Sequence, residues 1–243
     1  MPDKPLIAYL FSRYPVVSQT FCDSEMLALE DMGVDLVAAS INAPPSSFRH
    51  DHLDALKAQA HYPPPSAVLK SIQKEAQADG SWEKIEALVQ DHNDRYGTSF
   101  KADVRARNAL YFARLFEQLG VDHVHVHFAN RATHTALFLK KLGFPFSFTA
   151  HAQDFMVDLG NDDLLAEMCD EAEFVVSVSD HSKHLLQELC PSARDKIHRV
   201  YNGIVPDEFP PAQPRQDADE PLRIVSVGRL IEFKGFQDRK SVV

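Results

Sequence analysis

Glycine is scarce in this sequence, and it is absent from the loop where a nucleotide cofactor is most often held. Only 9 of the 243 residues are glycine, and residues 12–20, which follow the first apolar segment, contain none. The dinucleotide fingerprint G-x-G-x-x-G and the Walker-type phosphate loop both need glycines that let the backbone approach a phosphate closely. The sequence therefore argues against an NAD-binding or Walker-type phosphate site.

Paired cysteines, long apolar segments and an excess of positive charge are also missing. Cys22, Cys169 and Cys190 form no C-x-x-C motif, which is typical of reduced, buried thiols in a cytosolic protein. No apolar segment reaches transmembrane length, and the run at residues 6–11 is too short for a signal peptide. Any membrane contact is therefore expected to be peripheral. The net charge of −10 argues against broad nucleic-acid binding, which needs a basic surface.

What the sequence does contain is an alternation of short apolar strands with amphipathic helices. The patterns predict strands at residues 5–11, 34–41, 121–128, 144–150, 173–179, 196–201 and 222–227. Helices are predicted at residues 20–32, 66–79, 81–95, 101–119, 132–142, 162–169 and 180–189. This alternation is typical of parallel strands joined by right-handed crossovers. The predicted fold class is α/β, a Rossmann-like parallel sheet with helices on both faces.

The predicted domain organisation is one nearly complete domain followed by the start of another. Residues 1–203 form the first domain, and residues 204–220, with four prolines and five acidic residues, form a linker. Residues 221–243 contribute the first strand of a second domain but fall below the roughly 40 residues that an independent domain needs. We therefore expect the chain to stop near the beginning of its second domain.

Three histidines alternate along one face of the strand predicted at residues 121–128. An H-x-H pair among His123, His125 and His127 can place two imidazoles on one zinc ion, with His151 and Asp154 as further ligands. Alternating histidines on a strand also occur where a helix covers them or where they lie at the surface, with no metal. We favour the interpretation without a metal and keep a metal-dependent hydrolase as an alternative.

His127 and His151 end two neighbouring predicted strands, so they are expected at the same edge of the sheet. Ligands of open α/β sheets bind outside the carboxyl ends of the strands. His151 can hydrogen-bond a hydroxyl-rich ligand there, while Asp154 can orient it or cap the next helix.

The loop after the first strand offers two hydroxyl groups, those of Ser18 and Thr20. It precedes a helix N-terminus, where anions bind readily, and both hydroxyls can donate to a phosphate or a sugar. The alternative is purely structural: residues 20–23 fit a capping box.

Two basic stretches complete the set of candidate features. Gly228, Arg229 and Lys234 follow the last predicted strand, and two cations on one loop suit a diphosphate. The helix predicted at residues 101–119 carries Lys101, Arg105, Arg107 and Arg114. These side chains suit a solvated face or, alternatively, an anionic membrane surface; the solvated face is the favoured interpretation.

Six motifs occur in one order and together resemble the GT-B fold glycosyltransferases of family 4, especially the bacterial exopolysaccharide (colanic-acid-type) branch. They are P-x-x-S-Q-T-F-x-x-x-E at residues 15–25, V-H-x-H-F at 124–128, F-T-A-H-A-x-D at 148–154, V-S-V-S at 176–179, V-Y-N-G-I at 200–204 and S-V-G-R-L-x-E-x-K-G-F at 226–236. The resemblance implies two Rossmann-like domains, the first for the acceptor and the second for a nucleotide-activated sugar.

The resemblance also implies roles for particular residues. His151, with Asp154, would act at the donor sugar, Gly228, Arg229 and Lys234 would hold its diphosphate, Ser18 and Thr20 would line the acceptor side, and His127 and Asn202 would line the cleft. The implied reaction transfers a hexose with retention, without metal or cofactor, from a nucleotide sugar to a lipid-linked or oligosaccharide acceptor. The implied location is the cytoplasm or the inner-membrane surface, in surface-polysaccharide assembly.

The sequence departs from the family pattern after residue 238, where the expected helix and the paired glutamates E-x7-E are missing. We therefore expect little or no transferase activity from these 243 residues alone. A non-catalytic sugar-binding or interaction domain is the second hypothesis for the chain.

Overall fold

The computed structural model describes residues 4–44, 47–151, 154–155, 161–209, 211, 225–228, 230 and 232–236. The chain divides into two compact units, Met1–Ile204 and Val205–Val243. The assignment of the second unit to a nucleotide-sugar domain stays a prediction.

The first unit contains a seven-stranded, wholly parallel sheet. Its strands are β1 (Leu6–Arg13), β2 (Asp35–Asn42), β3 (Ala60–His61), β4 (His123–His127), β5 (Phe146–Ala150), β6 (Val175–Ser177) and β7 (Ile197–Arg199). Their order across the sheet is β3-β2-β1-β4-β5-β6-β7. The chain therefore runs outward in both directions from the β1–β4 pair, and this reversal is the topological switch point of a Rossmann-like sheet.

Seven α-helices connect the strands and cover the sheet. They are α1 (Thr20–Asp31), α2 (Ser66–Ala78), α3 (Glu83–Tyr96), α4 (Ala102–Leu119), α5 (Arg131–Lys141), α6 (Asp162–Glu171) and α7 (Asp180–Leu189), counted over the described residues. The fold class is therefore as predicted, with helices on both faces.

The two cores follow from the two-residue period of the strands. Ala8 and Leu10 of β1 belong to the larger core, together with residues of α4 and α5. Tyr9 and Phe11 point to the other face and form the smaller core with Cys22 and neighbouring α1 residues. Successive side chains of a strand alternate between faces, so one strand supplies both cores.

Helix α5 is the central support of the larger core. Every residue from 132 to 139 is buried, and the helix contacts β1, β4 and β5 as well as α3, α4 and α6. Asn130 caps it by accepting a hydrogen bond from the Ala132 N–H at 3.0 Å. A helix buried on all sides is a fixed platform, so the loop before α5 is held firmly at the edge of the sheet.

The predicted capping box at residues 20–23 is wrong. Thr20 is the first residue of α1, Gln19 occupies the N-cap position, and no side chain caps this end. Asp23, the residue that would close the box, is 2 % exposed and lies 3.0 Å from His52 Nε2. Its carboxylate is therefore engaged in the interior.

The predicted solvated face of α4 is also partly wrong, because Arg105 is only 6 % exposed. Helices α2, α3 and α5 all pack against α4, so more of its circumference is covered than a one-sided amphipathic pattern suggests. Arg114 does lie at the surface, where it pairs with Glu75 at 3.2 Å.

In the second unit, the strand predicted at residues 222–227 is not found in its described part. Val225–Gly228 adopt no regular secondary structure, and Val225 and Val227 are 84 % and 93 % exposed. The described residues of this unit include no strand at all, and a single strand without a neighbour would leave its backbone groups unpaired.

In the part of the chain that the structure describes, no helix has both the length and the apolar character required to cross a membrane.

Replacing Phe138 should test the supporting role of α5. Phe138 is fully buried, so Phe138→Ala removes a large side chain and should lower the free energy of unfolding by about 3–5 kcal/mol. Lys141→Ala, at an exposed position of the same helix, should change it by less than about 0.5 kcal/mol. Urea unfolding followed by circular dichroism measures both, and equal losses would contradict a central role for this face of α5.

Candidate functional site

The carboxyl edge of the sheet at the β1–β4 switch point is organised by side-chain bonds between strands. Ser12 Oγ, on β1, donates a hydrogen bond of 2.6 Å to Asn130 Oδ1, just after β4. Asn42 Nδ2, at the end of β2, donates to the Ser12 carbonyl oxygen at 2.7 Å. Three strand ends are thereby fixed together at the place where α/β sheets bind ligands.

His151 follows β5 directly and is 9 % exposed. Two aromatic rings flank it: the centroids of Phe21 and Phe128 lie 4.9 Å and 4.3 Å from the imidazole centroid. Phe128 adopts a φ of +75°, a left-handed conformation that is unfavourable for a residue with a bulky side chain and is characteristic of functional sites. The local backbone thus turns at the end of β4 in the way that brings this ring onto His151.

A line of polar groups runs from His151 into the protein. His151 Nε2 lies 3.3 Å from His127 Nδ1, and His127 Nε2 lies 3.5 Å from Glu25 Oε1. The Tyr9 hydroxyl donates to the same Glu25 oxygen at 2.6 Å. The imidazole of His151 is therefore oriented by His127, which is in turn held beside the carboxylate on α1.

His127 does not itself line the cleft as predicted, because it is 1 % exposed. Phe11 stacks on it with 5.9 Å between centroids, and Phe21 covers it edge-on at 6.0 Å. It lies behind His151 and acts on it from the interior side.

The protonation states in this line follow from burial and proximity. Burial, reinforced by the neighbouring His127, lowers the pKa of His151 to about 4, so its imidazole is neutral at neutral pH. Desolvation by itself raises the pKa of Glu25, but His127 and the bond from Tyr9 outweigh it and lower the pKa to about 2. A neutral imidazole can both donate and accept a hydrogen bond, which suits it to a hydroxyl group.

Asp154 fastens the ends of two strands. Its Oδ2 accepts hydrogen bonds from the backbone N–H groups of His151 and Ala129, both at 2.8 Å. Burial raises its pKa to about 6, although these two bonds act in the opposite direction. The geometry therefore makes Asp154 a positioning residue for His151.

Ser18, Thr20 and Asn202 are all exposed, each in or beside a segment that follows a strand of the parallel sheet. Ser18 and Thr20 lie at the end of the β1–α1 loop, and Asn202 lies just beyond β7. Their hydroxyl and amide groups are thus available to a ligand, and their roles stay predictions.

The alternative metal set of His123, His125, His127, His151 and Asp154 is not assembled among the described residues. The group with suitable spacing there is instead Glu25, His125 and His127, whose ligand atoms lie within 4.8 Å of one another. Both ring nitrogens of His125 already face hydroxyl groups, Ser147 at 2.8 Å and Thr149 at 3.1 Å. A metal would have to displace one of these contacts.

In the second unit, the predicted diphosphate residues are only partly described. Lys234 ends a 3-10 turn, Glu232–Lys234, and Gly228 packs so closely against Phe236 that an added Cβ would lie 3.1 Å from the ring. Arg229 lies outside the described residues. The role of these three residues in holding a diphosphate stays a prediction.

Several residues of the site escaped the sequence analysis. Sequence patterns indicate no role for Tyr9, and they mark Phe21 and Glu25 only as members of the motif at residues 15–25. Glu25 lies about one hundred positions before His127. The two side chains meet only because the fold places α1 beside the end of β4. A usable signal was present: Glu25 adjoins Met26 on a short helix whose buried side faces the sheet.

A family model described as Glycosyltransferase Family 4 matches residues 28–208. The match covers most of the first unit, including β4, β5, His127, His151 and Asp154, whereas Tyr9, Phe21 and Glu25 precede its first residue. The chain therefore belongs to glycosyltransferase family 4. No curated protein sequence matches it.

Solved structures with the same fold include a glycosyltransferase from Rickettsia africae ESF-5, with 17 % identity and a TM-score of 0.51 over 87 % of this chain and 47 % of that one. MurG from Acinetobacter baumannii has 14 % identity and a TM-score of 0.50 over 97 % of this chain and 56 % of its own. A UDP-N-acetylglucosamine 2-epimerase from Rickettsia bellii has 6 % identity and a TM-score of 0.50 over 82 % and 45 %. The chain thus spans about half the length of these proteins, and at such identities the likeness concerns the fold.

Asp154→Asn should change the pH dependence of stability. The folded-state pKa of about 6 lies above the ordinary value of 3.8, so between these pH values the folded protein keeps a proton that the unfolded chain has released. The contribution of Asp154 to the free energy of unfolding should therefore fall as the pH rises from about 4 to about 6, by up to about 3 kcal/mol. The variant, whose amide oxygen can still accept both N–H bonds, should lack this fall.

Urea unfolding of both proteins at several pH values measures the difference. All other titrating groups are common to both proteins and cancel in the comparison. Asp163→Asn, at an exposed position of α6, serves as the control and should follow the wild type. Parallel curves for wild type and Asp154→Asn would show that this carboxyl titrates normally.

Proposed function

We propose that the unit Met1–Ile204 is the acceptor-side domain of a glycosyltransferase that transfers a hexose from a nucleotide diphosphosugar to a lipid-linked or oligosaccharide acceptor. The observation that carries the proposal is His151, held neutral between two aromatic rings at the carboxyl edge and backed by His127 and Glu25. Membership of glycosyltransferase family 4 supports the reaction class.

In this proposal His151 hydrogen-bonds a hydroxyl of the donor sugar next to the reacting carbon. The bond between the anomeric carbon and the diphosphate oxygen breaks, and a bond to the acceptor oxygen forms on the same face of the sugar. The acceptor hydroxyl passes its proton to the departing diphosphate oxygen, so the products are the glycosylated acceptor and a nucleoside diphosphate. The rings of Phe21 and Phe128 exclude water around His151, which strengthens polar contacts there. The transfer needs no cofactor or metal, and Arg229, Lys234 and the backbone at Gly228 hold the leaving diphosphate.

The acceptor enters on the side of Ser18 and Thr20, whose hydroxyls donate to it, and Asn202 lines the same edge. A lipid-linked acceptor would bring the protein to the cytoplasmic face of the inner membrane as a peripheral protein. The proposed pathway is surface-polysaccharide assembly of the exopolysaccharide type. These assignments rest on the motifs and on the position of the residues at the carboxyl edge.

The first test is His151→Ala. It should lower kcat/KM for glycosyl transfer by about 10²-fold, because a preorganised polar contact near the reacting carbon is lost. The assay uses the full-length protein and follows glycosyl transfer from labelled nucleotide sugars. His184→Ala, at an exposed position of α7, is the matched control and should keep the wild-type rate.

Three results would contradict the proposal. One is a wild-type protein that transfers no sugar from any nucleotide donor. Another is a His151→Ala variant with normal kcat/KM. The third is near-stoichiometric zinc that His125→Ala removes, which would favour the metal-dependent hydrolase built on Glu25, His125 and His127.

The acceptor side is tested by the double variant Ser18→Ala/Thr20→Ala. Both side chains are exposed, so stability should hardly change, while the KM for the acceptor should rise roughly tenfold as two hydrogen bonds are lost. The KM for the nucleotide sugar should stay the same. Ser192→Ala, also exposed, is the control, and an equal rise in both KM values would argue against a role specific to the acceptor.

A further inference from the structure

A cavity of about 770 Å³ lies on the α4–α5 side of the sheet and reaches its carboxyl edge. Residues of α4, α5 and α6 line it, together with Asn42 at the end of β2, Asn130 after β4 and Asp154 after β5. It therefore lies next to the loops of the candidate site, but the helices that line it are those of the larger core.

Arg105 of α4 lines this cavity and is more than nine-tenths buried, with an exposure of 6 %. Its Nε has no hydrogen-bond partner, and no carboxylate of the described residues lies within 4.0 Å of its guanidinium. Asp103, two residues earlier on α4, is bound instead to Arg107 at 2.7 Å.

The surroundings of Arg105 reinforce the positive charge. Lys101 and Arg131 also line the cavity, and both are exposed. Burial, followed by the like charge of Arg131, lowers the pKa of Arg105 to about 10, so it stays protonated at neutral pH. His134, across the cavity lining, has its pKa lowered to about 3 by burial and by the neighbouring His92 and Arg105, and it is therefore neutral.

Arg107, which is paired with Asp103, and two carboxylates, Asp154 and Asp162, complete the charged lining. Asp154 is engaged through Oδ2 by two backbone N–H groups, and Asp162 is exposed in the first turn of α6. Neither forms an ion pair with Arg105. Burying a charge without a partner is unfavourable, so the cavity holds a cation whose counter-charge the described residues do not supply.

We propose that this cavity binds a phosphoryl group, with Arg105 as its central ligand and Lys101 and Arg131 at the entrance. Guanidinium groups recognise phosphate through paired N–H donors. The binding of a phosphoryl group here does not depend on the proposed function. The further step, that this group is part of the sugar acceptor, does rest on the proposed function.

The remaining lining indicates what the phosphoryl group is attached to. Leu69, Phe100, Leu165 and Met168 give the cavity an apolar wall, and its volume exceeds that of a phosphate ion many times. A phosphorylated sugar can place its ring against this wall, and a polyprenyl phosphate can place the first part of its chain there. Both share the phosphoryl chemistry and are distinguished by experiment.

The decisive variant is Arg105→Met, which keeps the length of the side chain and removes its charge. The probes are inorganic phosphate, a hexose 1-phosphate and farnesyl phosphate, with binding measured by calorimetry and by the shift in Tm. Arg114→Met makes the same change on α4, at a surface position paired with Glu75, and is the matched control.

We expect saturable phosphate binding by the wild type and by Arg114→Met, and at least about tenfold weaker binding by Arg105→Met. The Tm of unliganded Arg105→Met should equal or exceed that of the wild type, because an unpaired buried charge has been removed. An arginine kept only for the fold would give the opposite result, with a lower Tm and no effect on phosphate.

Absence of phosphate binding to the wild type, or equal binding to Arg105→Met, would overturn the inference. Tighter binding of the hexose 1-phosphate than of farnesyl phosphate identifies a phosphorylated sugar, and the reverse order identifies a lipid phosphate. Arg105-dependent binding in a protein without transferase activity would leave the phosphoryl site intact and reject only the proposed function.

Discussion

The arrangement at the carboxyl edge depends on one carboxylate oxygen. Asp154 Oδ2 accepts the N–H groups of Ala129 and His151, and so it joins the turn after β4 to the turn after β5. Ala129 follows His127 and Phe128 along the chain and precedes the N-cap of α5. The second N–H group belongs to His151 itself. The same residue lines the cavity that contains Arg105. One buried hydrogen-bond acceptor thereby fixes the relative position of two potential binding regions, which lie on opposite sides of the sheet edge.

The sequence predicted most of the fold because the fold depends on local patterns. Apolar runs and amphipathic periods located the helices of the first unit and all its strands except β3 (Ala60–His61) to within a few residues. Strand-end reasoning brought His151 and Asp154 to the right edge. It failed where the outcome depends on packing between distant segments. The burial of Arg105 is set by three helices that surround α4, and the pairing of His127 with Glu25 is set by the docking of α1 on the sheet. The prediction for residues 222–227 failed in its described part because a strand needs partners as well as apolar residues.

The chemistry of His151 illustrates how environment defines the role of a side chain. Three histidines alternate on β4, yet their surroundings make them different groups. His125 is fully engaged by Ser147 and Thr149, and burial lowers its pKa to about 3. His127 lies behind the edge beside Glu25, and His151, directly after the neighbouring strand β5, lies at the carboxyl edge itself. The H-x-H pattern alone suggested a metal site. In the structure His125 and His127 are held by protein groups, and His151 is the histidine placed to contact a ligand.

The left-handed backbone of Phe128 has a consequence for how substitutions at this position act. A glycine there would relieve the unfavourable φ of +75° and, by local conformational preference alone, would favour the folded backbone. It would also remove the ring that lies 4.3 Å from His151 and open the imidazole to water. Folding and ligand enclosure therefore make opposite demands on one residue. The backbone preference alone would favour losing this ring, whereas the enclosure of the imidazole favours keeping it despite its conformational cost.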